Sequence, residues 1–259
     1  MYSILEHYLS TNHILMIGMI VTFILTFFLL EHPFSFLPSD QGRAFAVNGS
    51  LSKGKLRGVG FIFVLCFLIS SVLFLPIDVE YVIYAILLFA MMISGYLDDA
   101  SKTPWNEYKK GLIDLVISIV AVLTYMNFNS TTICFGADEI VIPKALFLIL
   151  GVILIWVSVN VTNCTDGVDG LCASLCSVTL LAFGVLFAPI LQKYAMANFL
   201  FLSVLFAYLY FNSSPSSMLM GDAGSRALGF YIAVIALKST HPFIYILLAA
   251  VMIVDGGIG

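Results

Sequence analysis

An all-α polytopic membrane protein is the predicted fold class, and three observations carry that prediction. Of the 259 residues, 61% are hydrophobic and 10% are charged, against about a quarter charged in soluble domains. The mean hydropathy is +1.06. The apolar residues are gathered into nine stretches, with the glycine-rich and acidic segments at the junctions between them. This pattern argues against a water-soluble domain, because crossings of roughly 20 residues each would use most of the chain.

In order, the stretches cover residues 14–30, 59–75, 81–97, 112–126, 145–159, 171–189, 195–211, 227–237 and 242–259. Residues 1–12 carry no Lys or Arg, so no cleavable signal peptide is expected and the first stretch should be a retained crossing. The eighth stretch is short and should begin within 224–226. Residues 131–143 alternate around Gly136, Ala137 and Asp138, which predicts a small hairpin on the extracytoplasmic side. The five cysteines (Cys66, Cys134, Cys164, Cys172 and Cys176) form no CxxC pair, so neither a disulfide nor a zinc site is expected. No repeat or long linker is visible, and residues 1–259 read as a single integral membrane domain.

Orientation follows from Lys and Arg. The odd-numbered connections carry Arg43, Lys53, Lys55, Arg57, Lys102, Lys109, Lys110 and Arg226, while the even-numbered ones carry Lys144, Lys193 and Lys238. The odd connections are therefore expected in the cytoplasm and the N-terminus outside. The three acidic junctions all fall on odd connections.

The first junction, GYLDDASK at 95–102, holds Asp98 and Asp99 at a helix end. Adjacent helical residues point about 100° apart, so the two carboxylates should have different tasks. Lys102, one turn on, can pair with either acid or bind a phosphate. The second junction runs NVTNCTDGVDGL from 160 to 171 and places Asn160, Asn163, Asp166 and Asp169 at intervals of three. That spacing lines one face with oxygen ligands and amide donors, and Gly167 and Gly170 allow close backbone approach. The plainer reading is that Asp166 or Asp169 caps the next helix. In the third, MGDAGSRALG at 220–229, Asp222 stands between two glycines before a helix. It could hold magnesium, or Asp222 or Ser225 could be a cap. Hard oxygen ligands with Lys102, Lys109 and Lys110 nearby suit magnesium and phosphates, the combination used in phosphoryl transfer.

These three motifs, in this order and at alternating crossings, resemble the signature loops of the polyprenyl-phosphate N-acetylhexosamine-1-phosphate transferases. The likeness runs from about Ser39 to the end of the chain. The basic loop DQGRAFAVNGSLSKGKLRG at 40–58 is similar to that of the branch with a muramoyl-pentapeptide donor. The resemblance implies ten transmembrane helices, a cytoplasmic active site in the bacterial plasma membrane, and a magnesium requirement. It implies transfer of phospho-MurNAc-pentapeptide from UDP-MurNAc-pentapeptide to undecaprenyl phosphate, giving lipid I and UMP in peptidoglycan synthesis. By motif, Asp98, Asp99 and Asp222 match the essential acids, with Asp222 the magnesium ligand and Asp98 the candidate to deprotonate the lipid phosphate or attack directly. Lys102 and one of Lys109 and Lys110 match phosphate-contacting lysines. Asn160, Asn163, Asp166, Gly167 and Asp169 match the nucleotide loop, and Asn212 a polar residue lining the site. A homodimer and inhibition by nucleoside antibiotics are further family expectations, and no nucleic-acid partner is expected.

Several positions depart from the family pattern. Cys164 stands where an aliphatic residue is expected, and Leu219 where an aromatic ring would stack on uracil. Leu-Arg-Gly at 56–58 replaces a Thr-Pro-containing segment. None of His7, His13, His32 and His241 matches the family's late histidine cluster, so the chain is expected to lack that C-terminal part of the domain and to be impaired as given. Asp114 is expected to pair with Lys110 at i, i+4, and Asp255 near the chain end is expected to lie close to the cytoplasmic face. The near alternative is a sister transferase using UDP-GlcNAc. A secondary transporter is the remote one, since it would need midplane charges and repeated broken helices.

Overall fold

The computed structural model describes residues 1–32, 34–40, 42, 52–136 and 138–258. Arg43, most of the basic segment 40–58 and Ala137 of the predicted hairpin lie outside these. The described chain is a helical bundle. Its elements are α1 (Tyr2–Leu5), α2 (Thr11–Glu31), α3 (Gly60–Phe74), α4 (Val79–Asp99), α5 (Glu107–Phe128), β1 (Thr132–Phe135), β2 (Asp138–Val141), α6 (Lys144–Thr165), α7 (Leu171–Leu186), α8 (Ala188–Leu191), α9 (Lys193–Asn212), α10 (Gly221–Lys238), α11 (Pro242–Leu248) and α12 (Ala250–Ile258).

Each predicted apolar stretch is mainly helical, although the sixth is interrupted at Phe187, whose φ of −114° and ψ of 18° end α7 before α8 begins. Five helices (α2, α4, α5, α6 and α9) are long and apolar enough to cross a membrane; α3 and α7 are apolar but shorter. The ninth stretch is corrected: it is not one helix but two, broken at Ala249, whose φ of −95° and ψ of 9° leave the helical region. Neither Pro nor Gly marks that break. The predicted hairpin is present, with Thr132 paired to Val141 and Phe135 to Asp138 in antiparallel register. The Cys134 N–H donates to the Thr240 carbonyl at 2.8 Å, which ties the hairpin to the end of α10.

Helix α10 is the axis of the bundle. It packs on α3, α4, α5, α6 and α7, and every residue from Gly221 to Leu237 is buried. It begins at Gly221, earlier than the sequence suggests, because Asp222 and Arg226 are held by neighbouring helices rather than by water. Within lipid, helices associate through close packing of small residues. Gly95 of α4 provides such a contact: a Cβ there would run into the carbonyl of Asp222. The end of α4 and the start of α10, both bearing acids, are thereby pressed together.

Candidate functional site

Residues 56–60, at the entry to α3, lie over the start of α10. Leu56 forms isolated bridges with Ser39 and Met218; the Leu219 N–H donates to the Leu56 carbonyl at 2.8 Å and the Gly60 N–H to the Met220 carbonyl at 3.1 Å. This backbone tie places the residues on either side of Leu56 against all three acidic motifs. Arg57 Nε donates to Asp99 Oδ1 at 2.8 Å, while its terminal nitrogens reach Asp222 Oδ1 at 3.3 Å and Asp40 Oδ1 at 3.4 Å. Lys55 Nζ lies 2.9 Å from Ser216 Oγ and 3.8 Å from Asp169 Oδ2.

The two acids ending α4 do diverge. Asp98 accepts from the Trp105 N–H at 2.6 Å and pairs with Lys110 Nζ at 2.7 Å. Asp99 accepts from Arg57 and from the Ala223 N–H at 3.0 Å. Its carboxylate packs so tightly against Gly221, where φ is +67°, that any Cβ there would overlap it. Lys110 also reaches Asp222 Oδ2 at 3.3 Å, so one ammonium joins Asp98 to Asp222. Four carboxylates with side chains no more than 8% exposed (Asp40, Asp98, Asp99 and Asp222) therefore face two cationic side chains. Burial works against the Arg57 charge, but Asp99, Asp222 and Asp40 outweigh it and hold the guanidinium pKa above its ordinary value. A cavity of about 540 Å³ opens beside the cluster, lined by Asp40, Arg57, Asp98, Asp99, Lys102 and Lys110 among others.

The helix-cap readings do not hold. The N-cap of α7 is Gly170 and that of α10 is Met220, and neither makes a side-chain cap bond. Asp169 instead accepts from the Ser216 N–H at 2.9 Å and from its hydroxyl at 2.7 Å. Asn212 accepts from the Gly170 N–H and donates to the Met218 carbonyl, both at 3.0 Å, holding the second motif to the third.

The structure thus brings Asp98, Asp99, Lys110 and Asp222 together, with Lys102 on the cavity wall and Asp169 and Asn212 bracing the adjoining loops. Lys102 does not supply the counter-charge to Asp98 or Asp99; Lys110 and Arg57 do. Lys109 turns the other way, with Nζ 3.2 Å from the centre of the Trp105 ring. Asn160 spends its amide on the Trp156 carbonyl at 2.7 Å. Asn163 lies in the last turn of α6, Asp166 is its C-cap, and Gly167 is exposed in the turn that follows. Leu219 is 4% exposed, and its backbone N–H donates to the Leu56 carbonyl. Asp114 pairs with Arg226 and not with Lys110. Sequence reasoning missed Asp40 and Ser216 and treated Arg57 only as a departure. The signal available for Arg57 was its place in a basic segment, with Lys53 and Lys55, on a connection expected on the same side as the three acidic junctions.

The described residues contain no cluster of three or more Asp, Glu, His or Cys arranged to hold a metal on their own. Magnesium, however, is commonly held by one or two carboxylates with substrate phosphates completing its shell. Asp222 is such a carboxylate, and the surplus of buried negative charge around it favours a cation. The donor set fits.

Residues 81–240 match a family model described as Glycosyl transferase family 4. The chain is 35% identical to the phospho-N-acetylmuramoyl-pentapeptide-transferase of Treponema pallidum (strain Nichols), over 94% of this chain and 73% of that protein. It is 28% identical to the protein of the same name from Halalkalibacterium halodurans, over 94% and 81% of the two chains. For the Dictyoglomus turgidum protein of that name the values are 25%, 94% and 80%.

Proposed function

The chain belongs to glycosyl transferase family 4, and from that premise we propose that its charge cluster is the phosphoryl-transfer site of a phospho-N-acetylmuramoyl-pentapeptide transferase. The reaction moves phospho-MurNAc-pentapeptide from its UDP carrier to undecaprenyl phosphate. An oxygen of the lipid phosphate forms a bond to the sugar-linked phosphorus of the donor. The bond from that phosphorus to the bridging oxygen breaks, and its electron pair leaves with UMP. Lipid I is the other product.

The observation that carries this reading is the meeting of Asp98, Asp99 and Asp222, from two separate motifs, with Lys110 and Arg57 beside one cavity. Phosphoryl transfer asks a protein mainly for positioning and for charge to offset the phosphates. Lys110 and Lys102 supply positive charge on the cavity wall. Asp222, with substrate phosphates completing the shell, would hold magnesium, which when bound neutralises phosphate charge and eases departure of UMP. Asp98, which lines the cavity, takes the proton of the lipid phosphate. Asp99, held by Arg57 and by the backbone of α10, positions both. Asn160 and Asn163 in the last turns of α6, the turn of Asp166, Gly167 and Asp169, and Asn212 and Leu219 behind them hold the uridine, where nucleoside antibiotics would compete.

The site end faces the cytoplasm on this reading, since seven of the ten Lys and Arg other than the buried Arg226 fall at odd connections. The carrier tail stays in the bilayer while its phosphate reaches the site. A homodimer belongs to the same reading. The test is UMP release in detergent with undecaprenyl phosphate and either UDP-MurNAc-pentapeptide or UDP-GlcNAc, with and without EDTA. Release from the muramoyl donor alone, stopped by EDTA and restored by magnesium, is expected. Release from UDP-GlcNAc alone would move the chain to the sister branch, and release unaffected by EDTA would remove magnesium.

A further inference from the structure

One helical turn below the cluster lies a charge pair that the reaction as described does not use. Arg226 and Asp114 are each 2% exposed, and Arg226 Nη2 donates to Asp114 Oδ1. Arg226 follows Asp222 by four residues on α10, and Asp114 follows Lys110 by four on α5. Each therefore sits about 6 Å deeper than its site residue, on the same helix face. The upper rung joins Lys110 to Asp222 at 3.3 Å and the lower rung joins Asp114 to Arg226. Sign alternates along each helix and across each rung.

Two observations set this pair apart from ordinary helix packing. Arg226 Nη1 is buried without a hydrogen-bond partner, so the guanidinium is not closed into the bidentate clasp that arginine favours with a carboxylate. Both charges are also fully withdrawn from water, an arrangement that well-packed apolar residues often match in stability. Stability alone therefore gives little reason for the pair, whereas its register with Lys110 and Asp222 does.

We propose that Asp114 and Arg226 are positioning residues for the transfer: the lower rung holds Lys110 and Asp222 in place while the cavity fills. This inference rests on the transfer reading above. A diphosphate entering the cavity draws Lys110 outward, and a cation draws Asp222. A negative charge beneath the lysine and a positive one beneath the aspartate oppose both displacements, and at low dielectric that restraint is strong.

The experiment compares wild type with a swapped pair, Asp114→Arg with Arg226→Asp, and an apolar pair, Asp114→Leu with Arg226→Met. The swap keeps an ion pair but places like charges beneath Lys110 and Asp222. For the swap, kcat should fall about tenfold or more while donor KM and UMP affinity by calorimetry stay within about twofold. Arg226→Lys, which keeps the sign, should hold kcat within about threefold of wild type. A folded swap with wild-type kcat would overturn the proposal, because any buried pair would then serve. If the swap does not accumulate, the apolar pair decides: wild-type kcat overturns the proposal, and a tenfold loss with UMP affinity retained supports it. A chain extended to the length of the relatives it matches that still releases no UMP would remove the transfer reading itself, and this inference with it.

Discussion

The two ends of the bundle both bury charge, but they do so in opposite ways. At the far end, Lys238 Nζ reaches both Glu80 oxygens at 3.0 Å and Asn129 Oδ1 at 2.7 Å, and the Asn129 amide returns to Glu80 at 2.6 Å. One cation, one anion and one amide saturate one another. At the site end, four buried carboxylates share two cationic side chains beside an open cavity. The first arrangement is complete as it stands. The second has negative charge left over, and so is suited to take a cation and, through it, phosphates. On the proposed reading, the saturated charge serves structure and the unbalanced charge at the cavity serves chemistry.

The contrast can be broken most severely at Asp222. Asp222→Ala should lower UMP release by about 10²–10³-fold, the range for losing one preorganised electrostatic group, with circular dichroism unchanged. Gly95→Ala should come next, although it removes no charge. Its methyl group would push α4 off α10 at Asp222, and an error of about 1 Å in placement costs on the order of 10²-fold. A rate within about twofold of wild type would show that the close contact does not position the acids.

At the far end the effect should appear in stability instead. Lys238→Ala strands Glu80, 8% exposed at its side chain, and should cost about 3–5 kcal/mol, read as lost thermal stability in detergent. The smallest effect is expected at Lys193→Ala, since its partner Asp78 is 54% exposed and such pairs contribute about 0–1 kcal/mol.

Much of this division was legible in the sequence. Acids at the edges of apolar runs are costly unless used, and that singled out Asp98, Asp99, Asp169 and Asp222. Alternation around Gly136 revealed the hairpin. What could not be read depends on distant partners. Asp114 offered only Lys110 at i, i+4 as a local partner, and the winner, Arg226, lies 112 residues away. Arg57 and Asp40 became part of the site only because the basic loop bonds back onto Leu219 and Met220. Ser216 is neutral, so no charge pattern marks it. The break at Ala249 has no Pro or Gly to announce it.

The most direct test sets one lysine from each end side by side. Lys110→Ala and Lys238→Ala would be assayed for UMP release from UDP-MurNAc-pentapeptide with magnesium and undecaprenyl phosphate, normalised to folded protein. Per folded molecule, Lys110→Ala should lose about 10²-fold in rate, whatever stability it loses by stranding Asp98, and Lys238→Ala should keep its rate while losing stability. Wild-type rates in Lys110→Ala, or equal losses of rate in both variants, would contradict the division of the molecule into a chemical end and a structural end.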